Sequence, residues 1–219
     1  MQQLLDIFSE SPPSFDRFIV GDNGDILHIL QNDAENPLYL LGESGTGKTY
    51  LAQAWVNKHK NQAVYINFAD NKSTNIFRLP ENIKYVAYDN IHLCSEEQQA
   101  FLFTQFNENR AQGVYMLFTA DVPPVNLPLR EDLRTRMGWC AVHKLAALSD
   151  ENKIIALRLW AQTQQIHIDD TIFSYLLRYY SRDLGKLSGC LKNFDRYSLS
   201  SGRRMTVPLL QQFLQENKP

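Results

Sequence analysis

Eight residues, Gly42-Glu43-Ser44-Gly45-Thr46-Gly47-Lys48-Thr49, constrain this chain more than any other stretch. They satisfy G-x-x-x-x-G-K-[ST] and follow the apolar run Leu38-Tyr39-Leu40-Leu41, which reads as a buried strand. Behind them, residues 48–58 carry Leu51, Ala52, Trp55 and Val56 at helical spacing. Strand, glycine loop and helix form the context in which this pattern has meaning. Glycines let successive backbone N–H groups converge on phosphate oxygens, and the helix N-terminus adds partial positive charge. In such a loop Lys48 reaches the β- and γ-phosphates and the Thr49 hydroxyl holds Mg²⁺. The stretch reads as a nucleotide-binding P-loop.

At 219 residues the chain has room for one α/β domain and a small accessory one. Ile26, Leu27, Ile29 and Leu30 suggest a helix over residues 25–31. Runs at residues 63–68, 84–90 and 114–119 read as further buried strands, and residues 70–81 are polar and irregular. Ser95 is placed to cap a helix, with Gln98 at capping-box spacing, Leu102, Phe103 and Phe106 as the apolar stripe, and Gly113 at the end. Prolines punctuate a loop before a short charged segment at residues 130–137. From Ser149 the pattern turns wholly helical. Ser149, Asp169-Asp170 and Ser181-Arg182-Asp183 supply starts, and a last helix is expected after Val207-Pro208. The expected domains are residues 14–146 and a helical lid at 147–219, behind an apolar tail at 1–13 that ends in Ser11-Pro12-Pro13.

The formal net charge of -2 argues against strong direct DNA binding by the fold as a whole. Cys94, Cys140 and Cys190 are widely spaced, which points to reduced thiols and a cytoplasmic protein rather than a disulfide or zinc framework. The N-terminus lacks a basic segment before its apolar residues, so no signal peptide is expected, and no run is long enough for a membrane span. The tail itself has two readings, packing on the domain or serving as a linear docking peptide.

Asp89, at the end of an apolar strand, is the expected second anchor for Mg²⁺. Its neighbour is Asn90, whose amide can hold a water but cannot accept its proton, so slow unaided ATP hydrolysis is expected. Arg130, Arg134 and Arg136 lie close together after the fourth strand. They suit a solvated helix with acidic partners, or an arginine finger worth about 10³–10⁵ in rate on a neighbouring molecule's γ-phosphate.

In serial order these pieces resemble the AAA+ ATPase family of the bacterial replication initiator DnaA, and most closely its short, Hda-like regulatory members. The resemblance runs through Ser14-Phe15-Asp16-Arg17-Phe18, the P-loop, Tyr88-Asp89-Asn90-Ile91 and Thr119-Ala120-Asp121-Val122-Pro123-Pro124. It continues in Leu133-Arg134-Thr135-Arg136-Met137-Gly138-Trp139, Leu148-Ser149-Asp150-Glu151-Asn152-Lys153 and Asp195-Arg196-Tyr197-Ser198. It implies an α/β fold, an AAA+ P-loop NTPase whose parallel-sheet αβα sandwich carries a small C-terminal helical lid. It also implies ADP or ATP with Mg²⁺ at the P-loop, Asp89 as the Walker B acid, Asp121 as sensor 1 and Arg136 as the arginine finger. The family's sensor 2 arginine falls on Gly185, so Lys186 or Arg182 is the candidate to contact nucleotide from the lid.

The same resemblance implies a negative regulator of replication initiation, bound to nucleotide (ADP in the family) and docked on the DNA-loaded sliding clamp. Gln2, Leu5 and Ile7, with Phe8 as a further anchor, approximate the family's clamp-docking peptide. DnaA is the implied partner, its ATP hydrolysed with Arg136 acting in trans. The initiator's helix-turn-helix domain and its single-stranded-DNA insertion are not expected here, and an assembly of several copies is compatible with the pattern. Two other classes fit less well. An autonomous AAA+ ATPase, such as a helicase loader, conflicts with Asn90. A small P-loop kinase leaves Arg136 unexplained.

Overall fold

The computed structural model describes residues 12–70, 79–80 and 82–217. Gln2, Leu5, Ile7 and Phe8, expected from the sequence to dock on a clamp, and most of the polar stretch after Asp70 lie outside them. The chain divides into two compact units. One comprises residues up to Glu43 and Gly47–Leu145; the other comprises Ser44–Thr46 and Ala146–Pro219.

The first unit is built from α1 (Gly24–Asn32), β1 (Leu38–Leu41), α2 (Lys48–His59), β2 (Ala63–Asn67), β3 (Tyr85–Asp89), α3 (Glu96–Ala111), β4 (Tyr115–Ala120), α4 (Glu131–Met137) and β5 (Ala141–Lys144). All strand pairs are parallel, in the order β2-β3-β4-β1-β5. Because side chains alternate across a strand, each strand feeds two cores. Leu38, Leu40, Ala87 and Leu117 face Leu51, Ala52 and Trp55 of α2 and Ile26 and Leu30 of α1. Tyr39, Val86, Tyr88, Met116 and Phe118 face Leu102 and Phe106 of α3 and Leu133 and Met137 of α4. Helices on both faces of a parallel sheet make the αβα sandwich. Tyr88 and Phe118 stack with centroids 5.2 Å apart in the second core.

Local chemistry sets the helix ends. Ser95 and Gln98 form the reciprocal capping box at α3, and Gly113 takes a positive φ beyond its C-terminus. The strand β5 was not expected. It is four residues long at the edge of the described sheet, alternates between half-buried and exposed positions, and pairs with β1. So short and weakly apolar a segment carries little periodic signal; the sheet edge recruits it through backbone hydrogen bonds.

The second unit contains α5 (Asp150–Thr163), α6 (Asp170–Tyr179), α7 (Leu184–Ser201) and α8 (Val207–Glu216) around a core of Leu157, Ile172, Phe173, Leu176, Leu187, Leu191, Phe194, Leu209 and Leu210. Ser149, Asp169 and Asp183 cap α5, α6 and α7 through side-chain oxygens. The last helix starts earlier than the sequence suggests. Thr206 caps it and Val207 and Pro208 lie in its first turn, where proline's missing N–H has no partner to lose.

Candidate functional site

The P-loop joins β1 to α2, and its backbone follows from its glycines. Gly45 and Gly47 hold φ of 80° and 97°, a region that costs side-chain-bearing residues. A Cβ on Gly47 would also stand 2.9 Å from Phe18 Cε2. Gly47 is the N-cap of α2, so the helix begins with Lys48 and Thr49, which opens backbone N–H groups toward the loop.

Lys48 is almost fully enclosed. Its Nζ donates to the carbonyl oxygens of Gly42 and Glu43 at 2.7 and 2.8 Å and forms an ion pair with Asp121 Oδ1 at 2.8 Å. Asp121 follows β4, beside β1 in the sheet, so the sensor 1 candidate and the P-loop lysine meet at the carboxyl ends of adjacent parallel strands. Asp121 Oδ2 lies 3.7 Å from His92 Nε2, in the turn after β3. His92 Nδ1 is buried with no hydrogen-bond partner among the described residues. Burial holds the His92 imidazole below its ordinary value, against the opposing attraction of Asp121.

Asp89 is wholly buried at the end of β3. Its Oδ2 accepts from Thr49 Oγ1 at 2.8 Å, the Tyr65 hydroxyl at 2.6 Å and Asn90 Nδ2 at 3.2 Å; its Oδ1 accepts from the Thr119 hydroxyl. Thr119 in turn accepts from the Asn90 backbone at 3.0 Å, and Asn90 Nδ2 donates to Asn67 Oδ1 at 2.9 Å. Burial and the Asp89 charge push the Tyr65 phenol well above its ordinary range, against a hydrogen bond with Gln53 of α2. Thr49 and Asp89 are hard oxygen donors side by side, a set that suits Mg²⁺ shared with phosphate oxygens. Among the described residues no cluster of three His, Cys, Asp or Glu side chains could hold a metal by itself.

Arg136 lies on α4, and its contacts are with α3 and its own helix. Nε donates to Asn107 Oδ1 at 2.9 Å, Nη1 donates to the Asp132 carbonyl at 3.1 Å, and the guanidinium stacks 3.8 Å from the centroid of Phe103. Arg110 covers the neighbouring, half-exposed Trp139 at 4.8 Å. Of the other two arginines in this segment, Arg130 pairs with Asp132 at 2.6 Å.

The structure thus brings together Lys48, Thr49, Asp89 and Asp121, and sets Arg136 among other partners. In the second unit Lys186 lies exposed on the first turn of α7, where its backbone N–H donates to the Asp183 cap at 2.9 Å. Arg182 pairs with Asp150 at 3.0 Å. Sequence reasoning missed Tyr65, Thr119, His92, Asn107 and Phe103 as members of these arrangements. A signal existed for two of them. Tyr65 and Thr119 are in strand phase with the residues that face α2, so they point toward the same layer as Asp89.

The structure has an α/β P-loop fold with a C-terminal helical unit, the architecture of an AAA+ fold. Domain III of the replication initiation protein DnaA from Thermotoga maritima matches with a TM-score of 0.77 at 20% identity, over 94% of this chain and 97% of that one. AMPPCP-bound DnaA from Aquifex aeolicus gives 0.66 at 19%, over 84% of this chain and 65% of that one. The Thermotoga maritima RuvB Holliday junction branch migration motor gives 0.67 at 15%, over 93% and 72%. At such identities the likeness is one of fold.

Residues 150–214 match the family model described as the lid domain of Hda. An uncharacterised protein of Haemophilus influenzae is 29% identical over 208 residues, 89% of this chain and 90% of that protein. The likeness to Hda thus lies in residues 150–214, and the likeness to DnaA domain III is one of fold over nearly the whole chain.

Proposed function

We propose that this chain is a negative regulator of chromosomal replication initiation, a nucleotide-bound adaptor that promotes hydrolysis of ATP held by DnaA. Gly42 to Thr49 would hold ADP or ATP, Thr49 and Asp89 would ligate its Mg²⁺, Asp121 would serve as sensor 1, and Lys186 is the lid's candidate nucleotide contact. The N-terminal residues Gln2, Leu5, Ile7 and Phe8 dock on the DNA-loaded sliding clamp, which brings the adaptor to its partner in the cytoplasm. Arg136 then stabilises charge on the γ-phosphate in the DnaA site, and the initiator is left with ADP.

The observation that carries this reading is the placement of Arg136. Its described partners are Asn107, Asp132 and two aromatic rings, none of them in the chain's own P-loop site. A guanidinium so fixed is ready to serve a site on another molecule. Asn90 in place of a second acid supports weak hydrolysis by the chain alone.

Labelled ATP preloaded on cognate DnaA provides the test, followed with this protein and with or without DNA-loaded clamp. Clamp-dependent conversion to ADP is expected, lost in Arg136→Ala and in the triple change of Gln2, Leu5 and Ile7 to Ala. Conversion by Arg136→Ala at the wild-type rate would sink the finger assignment. The complete Lys48–Thr49–Asp89 set favours a second reading, an autonomous AAA+ ATPase. Robust hydrolysis by this protein alone, abolished by Lys48→Ala, would select it.

A further inference from the structure

The environment of Asp89 is more crowded than its role as a metal anchor requires. An ionised carboxylate offers about four lone-pair sites. Here the donors are Thr49, Tyr65 and Asn90 on Oδ2 and Thr119 on Oδ1, all of them neutral groups of this chain. The Thr49 contact belongs to the P-loop arrangement itself. Tyr65 is different. It reaches Asp89 from β2, and β2 and β3 are hydrogen-bonded neighbours, so the phenol is held by the sheet rather than by the nucleotide loop.

We propose that Tyr65 is a positioning residue of the nucleotide site, whose hydroxyl keeps Asp89 Oδ2 engaged and so weakens the hold Asp89 would have on a bound Mg²⁺. Nucleotide is then bound chiefly by the P-loop backbone and Lys48, with little help from the metal. The inference rests on the nucleotide-site reading above and deepens it. When Mg²⁺ is bound, Asp89 would have to serve it with a phenol already in place on Oδ2 at 2.6 Å. An Asp89 whose Oδ2 is crowded in this way serves a protein that retains nucleotide without turning it over rapidly.

Calorimetric titration of the full chain with ADP and with ATP, in EDTA and in excess Mg²⁺, tests this. For the wild type the affinities in the two buffers are expected to agree within about threefold, less than one charge-assisted hydrogen bond would contribute. In Tyr65→Phe the advantage conferred by Mg²⁺ grows by about tenfold, the effect of freeing one such acceptor site on Asp89. Thr119→Val, which removes the donor on Oδ1, shifts the ratio in the same direction and serves if the phenylalanine variant does not fold. A wild type whose affinity depends strongly on Mg²⁺ would overturn the inference. So would a Tyr65→Phe protein that binds nucleotide with an unchanged ratio, which leaves the nucleotide site itself standing. Absence of nucleotide binding in both buffers would remove the parent reading and this one together.

Discussion

Lys48 and Asp121, 73 positions apart in the sequence, form an ion pair at 2.8 Å in which the lysine is 5% exposed and the aspartate 38%. The asymmetry decides the consequence. An enclosed ammonium that loses its counter-charge keeps only two carbonyl partners, while the aspartate has water to turn to. Asp121→Asn is expected to lower stability by about 1–2 kcal/mol, the low end for a broken pair because Asp121 is partly solvated. Urea unfolding measures the loss. Saturating ADP should shrink it, because phosphate oxygens take over the lysine. An equal loss with and without ADP would make the pair purely structural.

Gly47→Ala should fail for two reasons at once. The φ of 97° is costly for any residue with a side chain, and the new methyl would meet Phe18 Cε2 at 2.9 Å. The expected cost is about 1–3 kcal/mol. Thermal unfolding reports it, and a nucleotide titration should show lost affinity as the loop shifts. Combining it with Phe18→Ala relieves the contact but not the backbone, so only partial recovery is expected.

Asn107 fixes the orientation of Arg136 through Nε. Asn107→Ala removes a hydrogen bond to a charged group, and a loss of about 10- to 100-fold in conversion of DnaA-bound ATP is expected. Asn107→Asp, which retains an acceptor, should recover part of the rate. Conversion at the wild-type rate by the alanine variant would show that the finger is positioned by other contacts.

Acid should weaken the first unit through two histidines. Burial lowers both His92 and His59 below the ordinary 6.5, opposed by Asp121 and Asp33 respectively. The unfolded chain therefore binds protons more readily than the folded one. The stabilising contribution is complete above about pH 6.5 and declines as the pH falls toward the folded values. Urea midpoints taken at about pH 7.5 and about pH 5.5 should differ in that direction. His92→Gln, which cannot titrate, should flatten the slope. An unchanged slope in that variant would assign the effect to His59 and to other groups.

The readable part of this protein was written in short-range order. Glycines at fixed offsets announce a P-loop because only they tolerate its dihedral angles. Ser95 and Gln98 announce a helix start because their side chains satisfy N–H groups three residues away. Period-2 and period-3.6 patterns mark strands and helices because burial is imposed by the element's own geometry. By the same means Lys48, Thr49 and Asp89 could be named, and the serial motifs pointed to the DnaA-related AAA+ fold that the structure has.

The remainder depends on contacts between distant segments. Strand order sets β4 beside β1 and β3 beyond it, and thereby seats Asp121 against Lys48 and Asp89 against Thr49, although nothing near either aspartate encodes that adjacency. The edge strand β5 exists because β1 offers it hydrogen bonds, not because Ala141-Val142-His143-Lys144 is a strong strand former. Tyr65 and Thr119 read as ordinary sheet residues until the register sets their hydroxyls on Asp89, and Asn107 as a helix polar group until α4 lays Arg136 against it. The sequence alone determined the local conformations and the chemical identity of the glycine loop between β1 and α2. Only the tertiary structure decided which polar groups share that site, because hydrogen bonds form between side chains that the fold, and not the order of the chain, brings within 3 Å.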